Sequence, residues 1–121
     1  MSHTILVVDD EADVRAFLSA VLQKRGYRVV TAEDGKQAYG IAEDEQPDLI
    51  VLDLQMPNQT GTDFYRRLKK NERLTKVPII IVSGLAGRHL AVSNPFAVFD
   101  KPIEPDEFAA TVEKALGEND V

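Results

Sequence analysis

Four short apolar runs each lead to a residue that can do chemistry. Ile5-Leu6-Val7-Val8 runs into Asp9-Asp10-Glu11, and Leu49-Ile50-Val51-Leu52 runs into Asp53. Val77 to Val82 is followed by Ser83, and Ala97-Val98-Phe99 by Lys101 and Pro102. Taken singly, each residue has an ordinary reading. An acidic pair after a strand commonly caps a helix, and a lone Asp there is commonly a turn residue. Ser83 can satisfy loose backbone groups, and Lys101 can be a solvated surface lysine. Brought to one place, they point to something narrower. Two carboxylates about 4 Å apart repel by about 4 kcal/mol at an effective dielectric of about 20. Three stay ionised together only if a cation joins them; otherwise protons remain on. All-oxygen ligands without His or Cys suit a hard ion such as Mg²⁺. A metal beside an exposed carboxylate suits phosphoryl transfer to that carboxylate. The protein must then position the group and neutralise its equatorial oxygens. The metal, Lys101 and the Ser83 hydroxyl would supply one contact each.

The elements between these residues say whether they can meet. The first run reads as a strand buried on both faces, and Leu49 to Leu52 as a second central strand. Val14, Phe17, Leu18, Val21 and Leu22 then repeat at helical spacing, and Gly26 ends that helix. Arg28 to Thr31 is a more polar strand, which places it at a sheet edge. Asp34 caps a second helix with Ala38, Ile41 and Ala42 inward, and Pro47 closes the unit. A turn with Pro57 and Gly61 leads to a helix burying Phe64 and Leu68. Val77 to Val82 is a strand with Pro78 near its start, where a missing N–H matters least. Ala97 to Phe99 is a last short strand. Pro105, with Asp106 and Glu107 behind it, starts a helix that buries Phe108, Val112, Ala115 and Leu116. Repeated strand-helix alternation predicts an α/β fold, a parallel sheet with helices on both faces. Ligands in such sheets bind at the carboxyl ends of the strands, where these side chains stand.

The bulk properties agree with one such domain over residues 1–121. Hydrophobic residues make up 44% and charged residues 28% of the 121, as in an ordinary globular chain. No apolar run approaches the ~20 residues of a membrane helix. The N-terminus Met-Ser-His-Thr lacks the basic start of a signal peptide. There is no cysteine, which excludes disulfide and thiol chemistry and fits a cytoplasmic location. A net charge of −6 argues against direct binding to nucleic acid or anionic membranes.

With these motifs in hand, the sequence resembles the receiver domains of two-component response regulators. The resemblance rests on Val7-Val8-Asp9-Asp10-Glu11, on Leu52-Asp53-Leu54-Gln55-Met56-Pro57 with Gly61, on Val82-Ser83-Gly84 and on Lys101-Pro102. It implies a doubly wound, flavodoxin-like sheet of five parallel strands in the order 2-1-3-4-5. It implies that Asp53 is the phospho-acceptor. Asp10, Asp53 and the Gln55 backbone carbonyl would ligate Mg²⁺, with Asp9 acting through water. Ser83 takes the switch hydroxyl position and Lys101 the lysine position, with a cis Lys101-Pro102 bond. The donor would be a phosphohistidine on a sensor histidine kinase or a histidine phosphotransfer protein. The domain would be no enzyme in its own right, although it assists its own phosphorylation and dephosphorylation. It would signal through a changed surface to a downstream protein partner, or by shuttling phosphate, and homodimer formation is compatible with this. The chain ends soon after the fifth helix, so no output domain is expected within it.

Three other readings are weaker. A flavodoxin-like cofactor binder needs a loop of N–H donors where Asp9-Asp10-Glu11 stand. A haloacid-dehalogenase-type phosphatase needs an Asp at position 55, which is Gln. A pseudo-receiver, an interaction module that is never phosphorylated, would not need the full acidic set with Ser83 and Lys101. Two features depart from the family. Val98 stands where an aromatic switch residue is common, and Phe99 should point the other way into the core. Only Arg88 to Ser93 remains for a fourth helix, less than two turns, so this helix should be short or irregular and should change on activation. His3 and His89 are read as surface residues, Arg66, Arg67, Lys69 and Lys70 as a solvated face, and Met56 and Pro57 as shaping the loop.

Overall fold

A computed structural model describes residues 3–53, 60–83 and 95–119. Five strands are present among them: β1 Thr4–Val8, β2 Arg28–Ala32, β3 Leu49–Asp53, β4 Ile79–Ser83 and β5 Ala97–Asp100. Four helices are described: α1 Ala12–Lys24, α2 Gly35–Glu45, α3 Thr60–Lys70 and α4 Pro105–Asn119. All strand pairs are parallel, in the order β2-β1-β3-β4-β5. This is the order implied by the resemblance, and it leaves the polar β2 at an edge. Gln55, Met56, Pro57, His89 and the stretch expected to hold a short fourth helix lie outside the described residues.

Strand side chains alternate between faces, and here each face has its own core. Leu6, Val8, Ile50, Leu52, Ile79 and Ile81 pack against Ala38 and Ala42 of α2 and Phe64 and Leu68 of α3. Ile5, Val7, Leu49, Val51, Ile80 and Val82 pack against Leu18 and Leu22 of α1 and Phe108, Val112 and Leu116 of α4. The unbroken apolar runs in the sequence are therefore two interleaved sets. Each buried large side chain contributes about 1.5–3 kcal/mol relative to exposure.

The helix ends follow their local chemistry. Tyr27 N–H donates to the Leu22 carbonyl and Gly26 N–H to that of Gln23, with Gly26 at φ +91°. That is the left-handed turn only glycine adopts cheaply. Asp34 Oδ1 accepts from Gln37 N at 2.8 Å, the predicted cap of α2. At the start of α4, Glu104 accepts from Asp106 N at 2.7 Å and from Glu107 N at 3.1 Å. This cap was not legible, because Glu is an uncommon capping residue.

Two expectations are corrected. β4 begins at Ile79, not Val77. Val77 N–H is taken by the Leu74 carbonyl in the preceding turn, while the Pro78 carbonyl accepts from Ile50 N. Pro78 thus joins the ladder only through the one polar group it has. Phe17, placed on the apolar face of α1, is 41% exposed, because the stripe centres on Leu18 and Leu22. Helix α2 ends at Glu45 with Gln46 as its left-handed cap, φ 48°, and Pro47 follows directly, closing the unit as expected. Other details stand as read. Phe99 turns inward, its ring edge-on to Phe108 with centroids 5.6 Å apart, and Val98 is 43% exposed. No described helix is long and apolar enough to cross a membrane.

Candidate functional site

The register brings the strand ends together. Val8 pairs with Leu52, so Asp9 follows β1 where Asp53 ends β3. Asp53 pairs with Val82, which places Ser83 just beyond it on β4. Ser83 in turn pairs with Asp100, so Lys101 leaves β5 at the same edge. Of the side chains predicted to form the site, those of Asp9, Asp10, Asp53 and Lys101 are described. Ser83 is placed by its backbone alone, and Gln55 lies outside the described residues.

Four carboxylates, those of Asp9, Asp10, Glu11 and Asp53, each offer an oxygen within 4.8 Å of the others. Asp9 and Asp53 are each only 1% exposed, whereas Asp10 and Glu11 are exposed. The expectation of an exposed acceptor carboxylate is thus corrected. Asp53 ends a central strand flanked by β1 and β4, so its neighbours cover it. Lys101 reaches into the cluster across a cis Lys101-Pro102 bond. Its Nζ lies 2.9 Å from Glu11 Oε1, 3.2 Å from Asp9 Oδ2 and 3.4 Å from Asp53 Oδ2.

The electrostatics follow from burial. Burial of Asp9 raises its pKa above the usual 3.8, and a hydrogen bond from Glu11 N and the charge of Lys101 only partly oppose this. For Lys101, burial acts to lower the pKa. The hydrogen bond to Glu11 and the charges of Asp53 and Asp9 outweigh it, so the net shift is upward. The two directions are compatible: one ammonium is shared among three carboxylates and does not fully offset the burial of Asp9.

The donor set fits a hard divalent cation. It is all oxygen among the described residues, and Asp9 Oδ2 is buried without a hydrogen bond of good geometry. Its charge is met by Lys101 Nζ at 3.2 Å, an ammonium it shares with Glu11 and Asp53. Two contributors had no assigned role in the sequence reading. Glu11 is the nearest partner of Lys101; its place in the acidic run was the available signal. Arg15, one turn into α1, donates from Nη1 to the Asp9 carbonyl at 2.6 Å. Its helical spacing from Glu11 was the only hint.

Comparison with known proteins agrees with this geometry. Residues 5–113 match the family model of the response regulator receiver domain. Protein Rrf1 of Nitratidesulfovibrio vulgaris is 33% identical, over 96% of this chain and 84% of its own length. Sporulation initiation phosphotransferase F of Bacillus subtilis is 33% identical, over 96% and 95%. The phosphate regulon transcriptional regulatory protein PhoB of Pseudomonas aeruginosa is 34% identical, but the chain spans only 52% of its length. Among solved structures, chemotaxis protein CheY4 of Vibrio cholerae superposes with a TM-score of 0.86 at 28% identity, covering 96% of this chain and 100% of that one. The match spans nearly the whole described chain and the five-stranded parallel fold is shared with such solved structures: the chain belongs to the response regulator receiver domain family.

Proposed function

We propose that this receiver domain accepts a phosphoryl group on Asp53 from a phosphohistidine donor in a Mg²⁺-dependent reaction. The observation that supports it most is the single ammonium of Lys101 set against Asp53, Asp9 and Glu11 at 2.9–3.4 Å. An Asp53 carboxylate oxygen attacks phosphorus, the P–N bond to the donor imidazole breaks, and its electron pair stays on the imidazole. The product is an acyl phosphate on Asp53. Asp10, Asp53 and the Gln55 carbonyl would hold the cation, with Asp9 acting through water. Bound Mg²⁺ would offset the charge of the phosphoryl oxygens. Lys101 would exchange a carboxylate partner for a phosphoryl oxygen, and the Ser83 hydroxyl would donate to another.

The donor would be a sensor histidine kinase or a phosphotransfer protein. One relative of nearly equal length is named a phosphotransferase of sporulation initiation, and a relay role of that kind suits this chain as well. A cytoplasmic location follows from such partners.

Intact mass after incubation with acetyl phosphate and Mg²⁺ tests the proposal. The wild-type chain should gain one phosphate and Asp53→Asn none, with the fold of the variant retained. A wild type that stays unmodified would turn the reading to an unphosphorylated interaction module. An Asp53→Asn chain modified at the wild-type rate would move the acceptor elsewhere.

A further inference from the structure

We infer that Arg15 is a positioning residue for the acceptor site, holding the Asp9 main chain so that Asp9 Oδ2 faces the acidic cluster that would bind the cation. The inference rests on the reading that the acidic cluster binds a divalent cation, and it assigns a role to a side chain outside that cluster.

Asp9 is tied at every polar atom but one. Its N–H donates to the Ala32 carbonyl of β2 at 3.1 Å. Its carbonyl accepts from Arg15 Nη1 at 2.6 Å, and its Oδ1 accepts from Glu11 N at 2.8 Å. Oδ2 alone has no hydrogen bond of good geometry; it is ion-paired with Lys101 Nζ at 3.2 Å. Three ties fix the peptide planes on both sides of Asp9, and with them the direction of its side chain. Two of the three, the strand bond and the Asx turn, are local consequences of β1 ending and α1 beginning. The third comes from a helix side chain, and it is the one a substitution can remove without touching the strand or the carboxylates.

Arg15 suits the task. Its side chain is only 20% exposed, so its hydrogen bond competes weakly with water. Its guanidinium has donors to spare. Its other terminal nitrogen reaches Glu33 Oε2 at 3.9 Å, an exposed pair that contributes little by itself but lies on the loop after β2. Arg15 therefore spans the β1–α1 and β2–α2 loops at the edge where the cluster stands.

The positioning role and a plain charge effect predict opposite signs. A cation near carboxylates weakens metal binding by repulsion, so removing it should tighten binding if charge were its whole effect. If Arg15 instead orients Asp9, its removal should loosen binding although the site becomes more negative.

Mg²⁺ binding measured by calorimetry on wild type, Arg15→Met and Arg15→Lys separates these effects, with amide exchange at Glu11 followed in chelator. Methionine keeps an apolar stem but neither donor nor charge. The expected result is a rise in half-saturating Mg²⁺ of about three- to tenfold in Arg15→Met, the factor set by one net hydrogen bond. Arg15→Lys should recover at least half of that loss, and Glu11 exchange should quicken in the metal-free Met variant. Binding by Arg15→Met as tight as wild type, or tighter, overturns the inference. Should the Met variant fail to fold, Arg15→Gln, whose shorter side chain falls short of the Asp9 carbonyl, is read by the same criterion. If wild type binds no Mg²⁺, the proposed metal site falls and this inference with it. If wild type binds and Arg15→Met is indifferent, only the role of Arg15 falls.

Discussion

At the residue scale, the site is held in tension by its own charges. Asp9 is buried beside three other carboxylates and shares one ammonium with two of them. Burial, the leading cause, raises its pKa above 3.8. The folded protein thus binds this proton more tightly than the unfolded chain does. The resulting stability is fully present below pH 3.8 and is lost as pH rises through the folded value. Above that window, an ionised Asp9 costs stability unless a cation joins it. Metal-free Asp9→Asn should therefore unfold at higher urea than wild type at neutral pH, with the gap closing toward about pH 4. Lys101 retains Asp53 and Glu11 as partners in the variant. A variant with a lower urea midpoint at neutral pH would show that the lost Lys101 contact outweighs the relieved burial. Lys101 follows the same sign at higher pH: its raised pKa supports the fold fully below pH 10.5 and ceases to do so only as pH rises through the folded value.

At the scale of elements, strand ends aim the side chains and helix caps stop the helices from blurring those ends. Asp34 separates β2 from α2, and its Oδ1 takes the Gln37 N–H that would otherwise lack a partner. Gln37 Oε1 in turn accepts from the N–H of Glu33, just before the cap, at 2.8 Å, which makes the arrangement reciprocal. Asp34→Ala should lower stability by about 0.5–2 kcal/mol in urea unfolding, with phosphorylation by acetyl phosphate little changed. An unaltered midpoint would mean that water replaces the cap at no cost. The amphipathic β5 shows the same division of labour. Ala97 and Phe99 pack on the α1–α4 side of the sheet while Val98 and Asp100 face outward. A valine at the outward position leaves no ring there to swing inward, so a change of state at this edge must be read through other side chains.

For the whole molecule, the sheet and its two cores are a rigid frame around a site that is unfavourable without a cation. Metal binding should then appear as global stability. At a Mg²⁺ concentration tenfold above its Kd, binding adds about 1.4 kcal/mol, or about 3–6 °C in Tm for a domain of this size. Thermal melts in chelator and in millimolar Mg²⁺ measure this. Asp10→Asn should show a smaller shift together with a higher melting point in chelator, since it removes both a ligand and a repelling charge. No shift in wild type at millimolar Mg²⁺ would mean the cluster binds no such ion.

The gathering of the acidic groups and the lysine was legible in the sequence because they sit at the ends of the most apolar runs. Those runs can only be buried parallel strands, and parallel strands share one carboxyl edge. Asp9, Asp10, Asp53, Ser83 and Lys101 could therefore be assigned to one place from residue type and order, and the family resemblance supplied the strand order. What tertiary structure alone decided is depth and partnership. Asp53 is buried because β3 lies between β1 and β4, a matter of neighbours distant in the chain. Lys101 makes its shortest contact to Glu11, and Arg15 binds a backbone carbonyl. Neither pairing leaves a mark in local sequence, because a hydrogen bond to a main-chain oxygen requires no particular partner residue. The start of β4 was likewise settled in space, by the turn that took Val77 N–H before the ladder could. Periodicity and charge specify which groups gather; only the packed sheet sets how deep each lies and which partner it meets.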